Sequence, residues 1–105
     1  MLKINESYNQ QEVTTKKSDT LELSLAENPT TGYRWDVTSS GEPVCKLDET
    51  DYEPGGSGLG RGGTRRWKFL VLAPGVATIA LEYRRPFETG KAPSKTFTVR
   101  VRATE

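Results

Sequence analysis

The chain has 105 residues, enough for one compact core and too few for two ordinary domains. Fifteen Lys and Arg against fourteen Asp and Glu leave a formal net charge of +1, which excludes a dedicated nucleic-acid or polyanion binder. No apolar stretch is long enough to cross a bilayer, and the absence of any histidine removes the commonest general base and metal ligand.

The first ten residues lack the apolar run of an export signal. The expectation leans to the cytoplasm, or to an export segment that is not part of this chain. Met1–Ile4 can add a short edge strand, and Asn5-Glu6-Ser7 satisfies the glycosylation triplet without an export signal beside it. Val13 centres a weak strand over 11–15. Leu21, Leu23 and Leu25 then alternate with Glu22 and Ser24, which predicts a half-buried strand over 20–26.

Asn28-Pro29-Thr30-Thr31-Gly32-Tyr33 follows as a loop. Asn28 can bond its own backbone, Pro29 presets φ for a turn, and Gly32 tolerates positive φ. Two threonines sit at the tip of this stiffened loop, and a stiff loop loses little freedom when it binds. Tyr33, Trp35 and Val37 alternate through a strand over 33–38. A weaker strand over 44–51 carries Cys45 and Leu47. With no second cysteine there is no intrachain disulfide, and with no histidine Cys45 reads as a small buried hydrophobe rather than a nucleophile. Glu49, Asp51 and Glu53 read as a solvated strand face rather than a calcium site.

Residues 52–64 hold six of the ten glycines. Gly58–Gly63 formally matches G-x-G-x-x-G, but no βαβ pattern surrounds it, so a nucleotide cofactor is not expected. Two readings stay open for this loop: a flexible linker, or a low-profile loop whose backbone lies against a partner. Trp67, Phe69 and Val71 mark a strand over 65–72, and Ala77, Ile79, Leu81 and Tyr83 one over 75–84. The third loop, 85–93, opens Arg85-Pro86-Phe87, an arginine and an aromatic on a constrained backbone, as interface hot spots favour. Phe97, Val99 and Val101 complete the pattern over 94–103.

Seven or eight short strands predict an all-β fold: an immunoglobulin-like antiparallel sandwich without a disulfide, in a single domain of residues 1–105. If successive strands run up and down, the three long loops share one pole and the tight turns share the other. Long loops gathered on one end of a rigid scaffold predict a binding site there. A binding module for carbohydrate or another protein surface is the alternative use of such a scaffold. No constellation for catalysis is present, so no enzyme is expected.

Asn28-Pro29-Thr30-Thr31-Gly32-Tyr33, then Gly60-Arg61-Gly62-Gly63, then Arg85-Pro86-Phe87 together resemble the chagasin family, protein inhibitors of papain-like cysteine peptidases. The family pattern is N-P-T-T-G-aromatic, G-x-G-G and R-P-W, so this chain departs only where Phe87 replaces tryptophan. The resemblance covers nearly the whole chain. It implies an immunoglobulin-like inhibitor, monomeric when free and needing no cofactor or metal, that enters the peptidase cleft reversibly as a wedge. It places Thr30 and Thr31 against the catalytic cysteine, the glycine-rich loop along the unprimed side, and Arg85 and Phe87 as anchors on the primed side.

Overall fold

The period-two runs become eight strands in the computed structural model, which describes residues 1–55, 62–88 and 90–105. They are β1 (Leu2–Ile4), β2 (Gln11–Lys16), β3 (Thr20–Glu27), β4 (Arg34–Ser40), β5 (Cys45–Pro54), β6 (Gly63–Val71), β7 (Gly75–Arg84) and β8 (Lys95–Thr104). One sheet has the order β1-β3-β6-β5 and the other β2-β8-β7-β4. Leu21, Leu23, Leu25, Trp67, Phe69 and Val71 face Ile79, Leu81, Phe97, Val99 and Val101 across the interior, and all are buried. Burying each such side chain contributes about 1.5–3 kcal/mol against the entropy of ordering the chain.

The predicted sandwich is present, but its pairing is not wholly antiparallel. β1 runs parallel to β3, and β2 runs parallel to β8. The cause lies in residues 5–10, which carry the chain from one sheet to the other. Asn5 Oδ1 caps a single 3-10 turn, Glu6–Tyr8, by accepting from the Ser7 amide at 3.0 Å. Asn9 Oδ1 then accepts from the Thr98 amide at 2.9 Å, and the Gln10 amide donates to the Thr98 carbonyl, pinning the crossing to β8. Asn5 is thus engaged as a turn cap.

Two further differences bear on the loops. β5 and β6 extend past their predicted ends to Pro54 and Gly63, so the connection between them is shorter than the glycine count suggests. Gly63 pairs with both Glu27 and Pro54, and Pro54 is tolerated because β5 is an edge strand. Trp35 and Val37 are half-buried rather than buried, because β4 is also an edge. Both edges carry an irregularity, at Val37/Ser39 and at Leu47/Glu49, which blunts edge-to-edge pairing.

Cys45 is fully buried, and burial pushes its thiol above the ordinary value. The native protein should therefore resist a thiol reagent such as DTNB at neutral pH and react fully once unfolded in denaturant. Rapid labelling of the native chain would place Cys45 at the surface.

Candidate functional site

Leu21, Leu23 and Leu25 all point inward, and one more step of the alternation puts Glu27 inside as well. Its exposure is 2 %. On β6 the inward series Val71, Phe69, Trp67 likewise continues to Arg65. The two meet: Arg65 Nε and Nη2 both donate to Glu27 Oε1, at 3.1 and 3.0 Å. Glu27 Oε2 accepts from the Trp35 amide at 3.0 Å, and Trp35 Nε1 donates to the Ala26 carbonyl at 2.9 Å. Tyr52 Oη donates to the Glu27 carbonyl at 3.4 Å, with the Arg65 guanidinium over its ring at 5.4 Å. One buried carboxylate thus ties together the ends of β3, β4 and β6, from which two of the three loops spring. Nothing in the local sequence distinguishes Glu27 from a solvated strand-end acid; the signal is its register with the three leucines.

Asn28, next in the chain, builds the first loop. Its amide donates to Tyr83 Oη at 3.1 Å, and its Oδ1 accepts from Thr30 N and Thr30 Oγ1, at 3.2 and 2.6 Å. Pro29–Thr31 forms one 3-10 turn, closed by Thr31 N donating to the Asn28 carbonyl at 3.2 Å. Thr31 Oγ1 donates to that same carbonyl at 2.7 Å and accepts from Tyr33 N at 3.3 Å. Both threonines are exposed, yet both hydroxyl protons are engaged inside the loop. Gly32 sits at φ +82°, a conformation that calls for glycine, and a Cβ there would meet Phe87 Cε1 at 3.3 Å.

The third loop closes on the first through Arg85. Arg85 Nε donates to the Thr31 carbonyl at 3.1 Å, and its guanidinium lies 4.6 Å from the Tyr33 ring centre. Below it the rings of Tyr33 and Tyr83 stack at 5.3 Å and those of Tyr83 and Trp35 meet at 4.8 Å, each pair within the range for favourable ring contacts. Glu88 accepts from Arg85 Nη1 at 3.1 Å and from Lys91 Nζ at 2.8 Å. Lys91 and Arg85 together hold the Glu88 carboxyl below the usual range. Arg85 therefore braces the first loop against the third. Pro86 and Phe87 are exposed, Phe87 at 72 %.

The glycine-rich loop reaches the first loop at Gly62. A Cβ on Gly62 would come within 3.2 Å of the Glu27 carbonyl and 3.3 Å of Asn28 Cβ. Gly63 lies in β6, and a Cβ there would collide with the Glu53 carbonyl. Gly60 and Arg61 lie outside the described residues. The structure thus brings together Asn28, Thr30, Thr31, Gly32, Tyr33, Gly62, Arg85 and Phe87, with the backbone of Pro29. No group of three or more metal-ligating side chains occurs among the described residues.

Residues 14–101 match the family model described as chagasin family peptidase inhibitor I42. The chain is 34 % identical over 101 residues to amoebiasin-1 of Entamoeba histolytica, covering 95 % of this chain and 97 % of that protein. It is 29 % identical over 106 residues to chagasin of Trypanosoma cruzi, covering 96 % of each. The crystal structure of the cysteine protease inhibitor EhICP2 from Entamoeba histolytica superposes with a TM-score of 0.82. That match spans 97 % of this chain and 93 % of the other at 24 % identity, a likeness of fold.

Replacing Glu27 by Leu leaves the Arg65 guanidinium and the Trp35 amide without their acceptor. The loss should be about 3 kcal/mol in chemical denaturation, the low end for breaking a buried pair because Arg65 is 23 % exposed. A loss under about 0.5 kcal/mol would mean that water replaces the carboxylate.

Since the Glu88 carboxyl is depressed on folding, its contribution is complete above the unfolded value and fades as pH falls through the folded one. NMR titration should place its midpoint below that of a free glutamate. Lys91→Ala should raise that midpoint; an unchanged midpoint would show that Lys91 does not hold the carboxylate in solution.

Proposed function

The chain belongs to the chagasin family of peptidase inhibitors, and from that membership we propose that it inhibits papain-like cysteine peptidases reversibly, by filling the active-site cleft with its three-loop pole. Residues 1–105 act as one domain, monomeric when free. The observation that carries this reading is the fusion of the loops into one edge: Gly62 against Asn28, Gly32 against Phe87, and Arg85 bonded across to Thr31. A standard-size protein–protein interface covers roughly 800 Å² on each partner.

Blocking without being cleaved has a local basis. The Pro29–Thr31 backbone is a closed 3-10 turn rather than an extended strand, and Asn28 holds it from both its side chain and its carbonyl. Attack on a peptide carbonyl needs reacting atoms aligned at about 3–3.5 Å, and a turn fixed in this way resists being drawn into that geometry. The surface offered to the catalytic cysteine is then backbone and threonine side chain, with the hydroxyl protons already satisfied. Phe87 adds an exposed apolar ring that can stack on an aromatic of the enzyme, without the N–H of the family tryptophan.

Titration of papain with the protein should give competitive, reversible loss of activity. Thr31→Arg should weaken inhibition by on the order of 100-fold, about 2.7 kcal/mol, with the fold intact by circular dichroism. Phe87→Trp should tighten binding and Phe87→Ala loosen it. Full papain activity at large excess of the unaltered protein would contradict the proposal.

A further inference from the structure

Two arginines stand opposite each other where the chain leaves the three-loop pole. In the β4–β7 ladder Arg34 registers with Arg84, and on the next rung of that face Asp36 registers with Glu82. Both rungs lie on the outer face of the sheet, because the intervening Trp35 and Tyr83 turn inward to meet each other. Like charges directly opposite destabilise a sheet. The same four side chains in alternating order would have neutralised both rungs. Instead, the positive rung sits beside the loops and the negative rung away from them.

The chain only half relieves the positive rung. Arg84 Nη2 meets Glu82 at 3.1 Å, but Arg84 Nε is shielded from solvent and has no acceptor among the described residues. Arg34 is exposed and makes no ion pair among them. Arg84 also borders the hollow lined by Tyr33, Arg85, Glu88 and Lys91, where one carboxylate already serves two cations. Positive charge therefore exceeds negative at the corner where this sheet face meets the first and third loops.

We propose that this corner, with Arg34 at its exposed edge and Arg84 behind it, is an additional contact surface that receives acidic side chains on the rim of the target peptidase. The inference rests on the inhibitory reading above and extends it to a surface outside the three loops. Charges placed at the rim of an interface act mainly on encounter: they raise the association rate, and salt screens them over about 8 Å at physiological ionic strength. The opposed arginines then exchange some stability of the free protein for faster capture and for selection of acidic-rimmed targets.

The test uses two papain-like peptidases chosen for opposite charge at the rim facing the third loop. Association and dissociation rates are measured by stopped flow from low to high salt for the unaltered protein, Arg34→Lys, Arg34→Gln and Arg34→Glu. Against the acidic-rimmed enzyme at low salt, association should slow about threefold for Arg34→Gln and about tenfold for Arg34→Glu. Arg34→Lys should keep most of the rate, the differences should vanish at high salt, and dissociation should change little. Arg34→Gln should melt no lower than the unaltered protein, since it removes a like-charge rung. Both peptidases inhibited, with association rates and salt slopes untouched by Arg34→Glu, would overturn this inference alone. Failure of the unaltered protein to inhibit either enzyme would overturn the functional reading beneath it.

Discussion

Burying the Glu27 carboxylate requires a donor for each of its oxygens, and the donors come from two different strands: the Trp35 amide on β4 and the Arg65 guanidinium on β6. The desolvation cost of such a pair usually offsets most of its Coulombic gain. A hydrophobic pair of the same volume could hold the sheets together as firmly. What the ion pair adds is direction, because only one arrangement of the three strand ends satisfies it. The first and second loops grow from those ends, and Gly62 comes to rest against the backbone of Glu27 itself. Tyr83 joins the third loop to the same frame, its hydroxyl accepting from the Asn28 amide and its ring carrying Tyr33.

From that frame outward, each layer of the pole is held by the one beneath it. Trp35 and Tyr83 support Tyr33, Tyr33 supports the Arg85 guanidinium, and Arg85 fixes the carbonyl of Thr31. Polar groups that look available in the sequence are largely engaged within the loops. Interfaces gain affinity when the bound geometry exists beforehand, since less conformational freedom is lost on association. A wedge that enters a cleft must keep its shape, and the ring of Phe87 is the most exposed large apolar side chain among the described residues.

The strands were legible because period two states which face is buried, and Leu21 to Leu25, Trp67 to Val71 and Ile79 to Tyr83 state it without ambiguity. The parallel neighbours of β1 and β2 were not. Partner choice there depends on a six-residue crossing in which the Asn9 side chain bonds to Thr98, on a strand 89 positions away. The gathering of the three loops at one end followed from strand parity. Their bracing did not follow, because Arg85 next to a proline in a loop reads as a free cation, while its partners Tyr33 and the Thr31 carbonyl lie more than fifty residues earlier. Glu27 was not read as buried, because the predicted strand stopped at residue 26; β3 runs one step further and turns it inside, and only the position of Arg65 explains how a carboxylate can remain there.

The bonds that shape the pole are in place before any partner is bound. A crystal structure of the protein in complex with an inhibited papain-like peptidase tests this most directly. The Glu27–Arg65, Asn28–Thr30 and Arg85–Thr31 bonds should all persist, and the backbone of residues 27–33 and 85–88 should move by less than about 1 Å. A first loop refolded in the cleft, with the Asn28 and Arg85 bonds broken, would contradict this.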